Sequence, residues 1–324
     1  MSWMPRITLS IILTFFAGAV VGQQYPDKPV RLVLGFAPGG GTDLLARLIA
    51  QKLTEYWKTA VVVENRVGAG GTIGAAHVAE SAPDGYTILL GSVNQNAIAP
   101  NFFPDLRYDV SKDFKPIIYV GYSPLVLNVN PSVPAHSVKE LIALAKERPG
   151  QITAASAGGI GTTHHLAIEM FMAATGTKII HVPYKGSGLS TTDLLAGQVN
   201  MAFDVLPPSI PYITQGRLRA LAVTTLKRSS KMPDIPTMDE SGLKGFQIVN
   251  WYGLFAPSRT PAPIVAKINQ DVNRALRDPS VAQKLAEAGI EPGGGTPEEF
   301  AGYVNDEIKK FDALVKEQGL KPGD

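Results

Sequence analysis

A chain of 324 residues, 45% hydrophobic and 18% charged, is long enough for two packed domains and too apolar to be disordered. Its 30 Lys and Arg against 28 Asp and Glu leave a formal charge of +2, which supplies none of the basic field that nucleic-acid binding draws on. Without a cysteine there is no disulfide, no thiolate nucleophile and no cysteine-ligated zinc, so packing has to hold the fold.

The first segment carries one cation, Arg6, then the apolar run from Ile7 to Phe16, then small and β-branched residues ahead of polar Gln23 and Gln24. This is the layout of a secretory signal peptide over residues 1–22. The apolar run falls short of the about 20 residues a membrane helix needs. A retained N-terminal anchor is the alternative, and the polar break at Gln23 argues against it. From Pro29 onward short β-branched runs alternate with helical ones, the pattern of an α/β protein with mostly parallel sheets. Strand 30–36, a helix from Asp43 to Trp57 with Leu44, Leu45, Leu48, Ile49 and Leu53 on one stripe, strand 59–64, a Gly-rich stretch at 67–74, a short helix at 75–81 and strand 86–91 make one βαβαβ unit. Two apolar runs between Lys115 and Val129 meet at Ser123-Pro124, where the chain can cross between domains. A second unit follows, with strands at 152–156, 179–182 and 199–203 and helices at 137–148, 162–175 and 190–196. It ends near Leu221–Thr225, a candidate return crossing. The strand at 247–255 and the helices near 264–277, 281–288 and 297–317 are expected to pack back on the first unit. In the last helix Phe300, Tyr303, Val304, Ile308, Phe311, Leu314 and Val315 share a face.

Two lobes joined by two crossings leave a cleft, and in open α/β sheets ligands sit where βα loops and helix N-termini gather at the strands' carboxyl ends. The loop GFAPGGGTD at 35–43, with Thr42 and Asp43 as possible caps, can present main-chain N–H groups and a helix N-terminus to an anion without Lys or Arg. The loop SAGGIGTTHH at 156–165 repeats that chemistry in the second unit. Each loop alone also fits a plain βα connection; the pair points to a clasp for a carboxylate. Neither loop has the Gly-Lys-Ser/Thr ending of a P-loop, and Ile73 stands where a dinucleotide fingerprint needs its third glycine. His164 and His165 are adjacent, about 100° apart on a helix, and suit a capping or surface role better than a shared metal. No serine-nucleophile elbow occurs, Gly186-Ser187-Gly188 being out of frame. Asp204, after a strand, is either an acceptor for a ligand or a local cap. Asn94, Gln95 and Asn96 offer neutral donors and acceptors or ordinary turn chemistry. Trp251 and Tyr252 fit the core better than the cleft.

At these residues the sequence resembles the Bug receptors, the substrate-binding (TctC-like) components of tripartite tricarboxylate transport systems. The likeness rests on YPDKPVRLVLGFAPGGGTDLLAR at 25–47, VVVENRVGAGGTIGAAHVAESAPDGYTILLG at 61–91, GGIGTTHHLAIEMF at 158–171, HVPYKGSG at 181–188, MAFDVLPPSIPYI at 201–213 and WYGLFAPSRTP at 251–261. It implies an α/β, two-lobed periplasmic-binding-protein fold (type II, Venus flytrap) with two crossover connections. Residues 23–123 and 225–324 would form the first lobe and 124–224 the second. It further implies a periplasmic, non-enzymatic receptor without cofactor or metal, expected as a monomer, that binds a small carboxylate and delivers it to the membrane permease subunits of such a transporter. By that likeness Phe36, Pro38, Gly39 and Gly40 act from the first lobe and Ser156, Gly158, Gly161, Thr162 and Thr163 from the second. Asn94, Asn96, Gly186 and Asp204 shape the rest, with Asp204 reading the ligand's distal end. A periplasmic hydrolase or isomerase on the same scaffold, or a ligand sensor for a signalling partner, stays open as an alternative.

Overall fold

The computed structural model of the protein describes residues 25–39, 41–184 and 186–320. The signal-peptide reading over residues 1–22 lies outside the described residues, as does the candidate site residue Gly40.

The first lobe starts with β1 (Val30–Leu34), α1 (Gly41–Trp57), β2 (Val61–Asn65), a 3-10 turn at Ala69–Gly71, α2 (Thr72–Ala79) and β3 (Thr87–Ser92), with β1 paired in parallel to both β2 and β3. Leu45, Leu48, Ile49 and Leu53 of α1 bury against Val30, Leu32 and Leu34 of β1. Leu44, expected on the same stripe, is 41% exposed because it lies off the face set by the 45, 48, 49, 53 spacing. A π-helical turn at Asn94–Ile98, α3 (Ala99–Phe102) and α4 (Val110–Asp113) lead into β4 (Phe114–Val129).

The two apolar runs expected to meet at Ser123-Pro124 are a single 16-residue strand. Over 114–124 it pairs with a later strand, β9 (Val249–Pro257), and from Leu125 onward with β7 (Met201–Val205) and β8 (Arg219–Val223). The second lobe then contains α5 (Val138–Glu147), β5 (Thr153–Ala157), α6 (Thr163–Thr175), β6 (Ile180–Tyr184), α7 (Ser187–Leu195), β7 (Met201–Val205), α8 (Leu206–Thr214) and β8 (Arg219–Val223), with β5 parallel to β6 and β7. Sequence periodicity passes over α8 because it holds Pro207, Pro208 and Pro211. Two of these occupy its first turn, where the missing N–H costs nothing.

The chain returns through β9 (Val249–Pro257), α9 (Ala262–Leu276), α10 (Pro279–Glu287), β10 (Glu291–Gly294) and α11 (Pro297–Gln318). The strands run in the order β2-β1-β3-β9-β4-β7-β5-β6, with β10 and β8 also on β4. The expectation of mostly parallel sheets holds only at the two flanks. Around β4 and β9 the pairing is antiparallel, because both strands carry the chain between lobes instead of closing a βαβ unit. In α11 Phe300, Val304, Phe311 and Val315 are buried, and the ring of Phe300 packs against the backbone at Gly253, where a methyl group would sit 2.0 Å from it.

Where the crossings adjoin, fully buried Thr224 ties them together. Its hydroxyl accepts from Leu125 N (3.1 Å) and donates to Ile248 O (2.6 Å), while its own N–H donates to Leu125 O (3.0 Å). Among the described residues no helix is long and apolar enough to cross a membrane.

Candidate functional site

A cavity of about 380 Å³ lies where the first-lobe loops at 35–42, 67–71 and 92–94, with Asn250 on β9, meet the second-lobe loops at 157–164 and 186–187. Larger hollows on the described surface, about 410 Å³ beside α2, about 750 Å³ along α9 and about 420 Å³ between α9 and β10, are each walled by one lobe and stand apart from this junction.

On the first lobe the turn between β1 and α1 is braced from behind. Asp43, 3% exposed, accepts from Gly39 N (3.0 Å), from Arg47 Nε and Nη2 (2.8 and 3.0 Å) and from Asn65 Nδ2 (3.0 Å), and Asn65 also donates to Phe36 O (2.9 Å). The Arg47 hydrogen bond, helped by the Gly39 amide, holds the Asp43 carboxyl down at about 2. Phe36, Ala37 and Thr42 face the cavity. Pro38 and Gly39 are exposed and off its wall, and the Gly39 amide is already committed to Asp43. The loop at 67–71, which the sequence offered only as a failed nucleotide fingerprint, forms a large share of the wall. It gets there because Gly35 and Gly71 (φ +98°) touch: a methyl group at Gly35 would lie 2.3 Å from Gly71 Cα.

On the second lobe Thr162 caps α6, its hydroxyl accepting from His165 N (3.4 Å) and donating to Gly159 O (2.8 Å). His165 is not on the surface as expected; it is 2% exposed, accepts from Gly161 N through Nδ1 (3.2 Å) and stacks on His181 at 4.3 Å. His181 Nε2 in turn lies 2.6 Å from Ser156 Oγ. Burial, with His165 alongside, lowers the His181 imidazole to about 4. Fully buried Ser156 and buried Gly161 are thus parts of the support under the loop, with their polar groups turned away from the cavity. Thr163, also fully buried, spends both its N–H (3.2 Å) and its hydroxyl (2.9 Å) on Asn94 Oδ1, a contact that spans the two lobes.

Of the residues the sequence nominated, Phe36, Asn94, Gly158, Thr162 and Gly186 line the cavity. Asn96 does not. It is fully buried, two residues into the π-helical turn, with its side chain against Gly91, where a methyl group would lie 2.2 Å from Asn96 Oδ1. Asp204, 5% exposed, stands behind the wall, accepting from Val205 N (2.8 Å) and Thr191 Oγ1 (3.3 Å). Between it and the cavity comes His164, whose Nε2 lies 3.4 Å from Asp204 Oδ1. His164, Asn250, Ser92 and Ser187 are wall residues that sequence reasoning missed. For His164 the signal was its place in the first turn after a Gly-rich loop; for Asn250 it was a lone amide in an apolar strand. Trp251 and Tyr252 are core residues, 0% and 3% exposed, with Trp251 Nε1 donating to Glu307 (3.0 Å). Among the described residues on the wall, His164 is the one ionisable side chain and none is Lys or Arg. The described residues hold no group of three or more metal-ligating side chains. The wall can therefore offer main-chain and neutral side-chain hydrogen bonds to an anion, aided by the N-termini of α1 and α6.

Comparison with known proteins fits this geometry. The profile of the family described as "Tripartite tricarboxylate transporter family receptor" matches residues 45–320. The chain is 38% identical to the protein BugT of Bordetella pertussis over 97% of each sequence. Among solved structures it is similar to Rpa4515 of R. palustris with adipate (38% identity, TM-score 0.83, 92% of this chain and 99% of that one). It is also similar to MatC of Rhodopseudomonas palustris with bound malate (33% identity, TM-score 0.78, 90% and 100%).

Proposed function

The chain belongs to the tripartite tricarboxylate transporter receptor family, a family of binding receptors and not of enzymes, and from that premise we propose that it captures a small carboxylate in the interlobe cavity and delivers it to the membrane permease of such a transporter. The observation that carries this is the cavity itself, walled by Gly-rich loops and helix N-termini from both lobes. Such a wall suits an anion that is held by main-chain N–H groups and bridging water. The adipate and malate of the related structures are the same class of ligand. Phe36, Asn94, Gly158, Thr162 and Gly186 form the contact surface in this reading.

The lobes are residues 23–123 with 225–324, and 124–224. Closure is a rotation about the crossings at Leu125 and Thr224, where β4 exchanges one set of partners for another. The protein works in the periplasm, reaches it by a cleaved leader, and acts as a monomer without cofactor. Titration of the purified mature protein with a panel of C3 to C8 organic acids tests the reading. At least one acid binds with one-to-one stoichiometry and raises the melting temperature by on the order of 5 °C at 100 times its Kd. Binding by no acid overturns the proposal, and conversion of a bound acid into product favours the hydrolase or isomerase reading instead. Uptake that survives deletion of this chain but requires the permease would remove the delivery role.

A further inference from the structure

Two side chains on the cavity wall are left with unmet hydrogen-bonding capacity. Asn250, from β9 of the first lobe, donates through Nδ2 to Tyr252 Oη (3.0 Å), and that bond leaves its Oδ1 as a buried acceptor without a partner among the described residues. His164, from the first turn of α6 in the second lobe, has both ring nitrogens buried and without a hydrogen-bond partner. Its Nε2 faces the Asp204 carboxylate at 3.4 Å, so an N–H belongs on that side and Nδ1 is left with a lone pair. Buried acceptors without donors are rare in folded proteins because each costs its full desolvation. Asn250 Oδ1 and His164 Nδ1 have no accessible surface even toward the cavity, so a donor reaches them only when the lobes part and is held as they close, as a ligand trapped on closure would be.

We propose that His164 and Asn250 select, for the receptor described above, carboxylates that carry a hydrogen-bond donor, a hydroxyl above all, over the same acids without it. The carboxylate goes to the Gly-rich loops. The hydroxyl proton goes to Asn250 Oδ1 or His164 Nδ1, and Asp204 acts only through His164, as a positioning residue that fixes the ring. A site built to bond a hydroxyl discriminates strongly against the analogue lacking it, because the unpaired groups stay buried in that complex. This differs from the expectation that Asp204 itself reads the ligand, since His164 intervenes.

The test is calorimetric titration of the mature protein with two matched pairs, malate with succinate and 3-hydroxybutyrate with butyrate. In the wild type the hydroxy acid of at least one pair binds ten-fold or more tightly than its partner. Asn250→Leu and His164→Phe keep the shapes and remove the acceptors. Each lowers that preference by at least three-fold, because the hydroxy acid loses more affinity than the unsubstituted acid does. Equal or tighter binding of the unsubstituted acid in both pairs overturns the inference, as does a preference that survives in both variants. Circular dichroism and melting curves identify a variant that fails to fold, and the other then decides. The inference rests on the receptor reading. If the wild type binds none of the four acids nor any acid of the wider panel, both fail; if it binds acids without regard to the hydroxyl, only this one does.

Discussion

Asp43→Asn is the substitution whose effect the structure specifies most closely. The carboxylate is 3% exposed and gathers Gly39, Arg47 and Asn65, so it sets the turn that presents Phe36 and Thr42 to the cavity. Its pKa falls from the ordinary 3.8 to about 2, chiefly through the Arg47 hydrogen bond. Near two pKa units correspond to at most about 2.5 kcal/mol. Arg47 is half exposed and water screens part of its charge, which brings the working figure to about 1–2 kcal/mol. Because the folded pKa lies below the unfolded one, this stability is fully present above about pH 4 and is lost as the pH falls toward 2. Urea unfolding of wild type and Asp43→Asn at pH 7, 5, 4 and 3, followed by circular dichroism, should therefore show a deficit of about 1–2 kcal/mol at pH 7 and 5. The deficit narrows at pH 4 and 3 as the carboxyl of the unfolded wild-type chain takes up its proton while the folded one stays ionised. Ligand affinity at pH 7 should fall about ten-fold as the turn loosens. A deficit equal at pH 7 and pH 3, or none at pH 7, refutes the argument that ionised Asp43 braces the turn.

His181 loses stability in the same direction, although it is a base. Burial lowers it from 6.5 to about 4, so the unfolded chain takes up its proton first as the pH falls. Stability is complete above about pH 6.5 and declines by about 2 kcal/mol toward pH 4; His181→Gln should flatten that decline in a series of melting curves. Thr224→Val removes a hydroxyl that joins Leu125 to Ile248 and leaves Leu125 N without its acceptor in a buried crossing, so unfolding should become easier by about 1–3 kcal/mol in urea titration. Asn94→Ala should weaken ligand binding by ten-fold or more, since Asn94 lines the cavity and accepts from Thr163 across the lobes, whereas Asn96→Ala should leave Kd within about two-fold. Equal losses in the two would place the cavity wall elsewhere on the π-helical turn.

The sequence by itself determined what local chemistry controls. Apolar spacing put Leu45, Ile49 and Leu53 on one stripe, and the helices expected at 137–148, 162–175 and 297–317 begin in the structure at the side-chain caps Ser137, Thr162 and Thr296. The Gly-rich loops at 35–43 and 156–165 announced backbone that turns tightly near a ligand, and the quoted stretches were specific enough to point to the family. Tertiary structure alone decided which atoms of those loops remain free. The amides of Gly39, Gly161 and Thr163 look available in the sequence, yet Asp43, His165 and Asn94 claim them, and two of these partnerships form only when distant or inward-turning side chains pack. Likewise nothing local sets Asn250, in an apolar strand just ahead of the WYGLFAPSRTP stretch, on the same wall as His164. That juxtaposition follows from β9 lying beside β4 and from the lobes closing on each other, because side-chain direction in a strand alternates with register and register is fixed by long-range pairing.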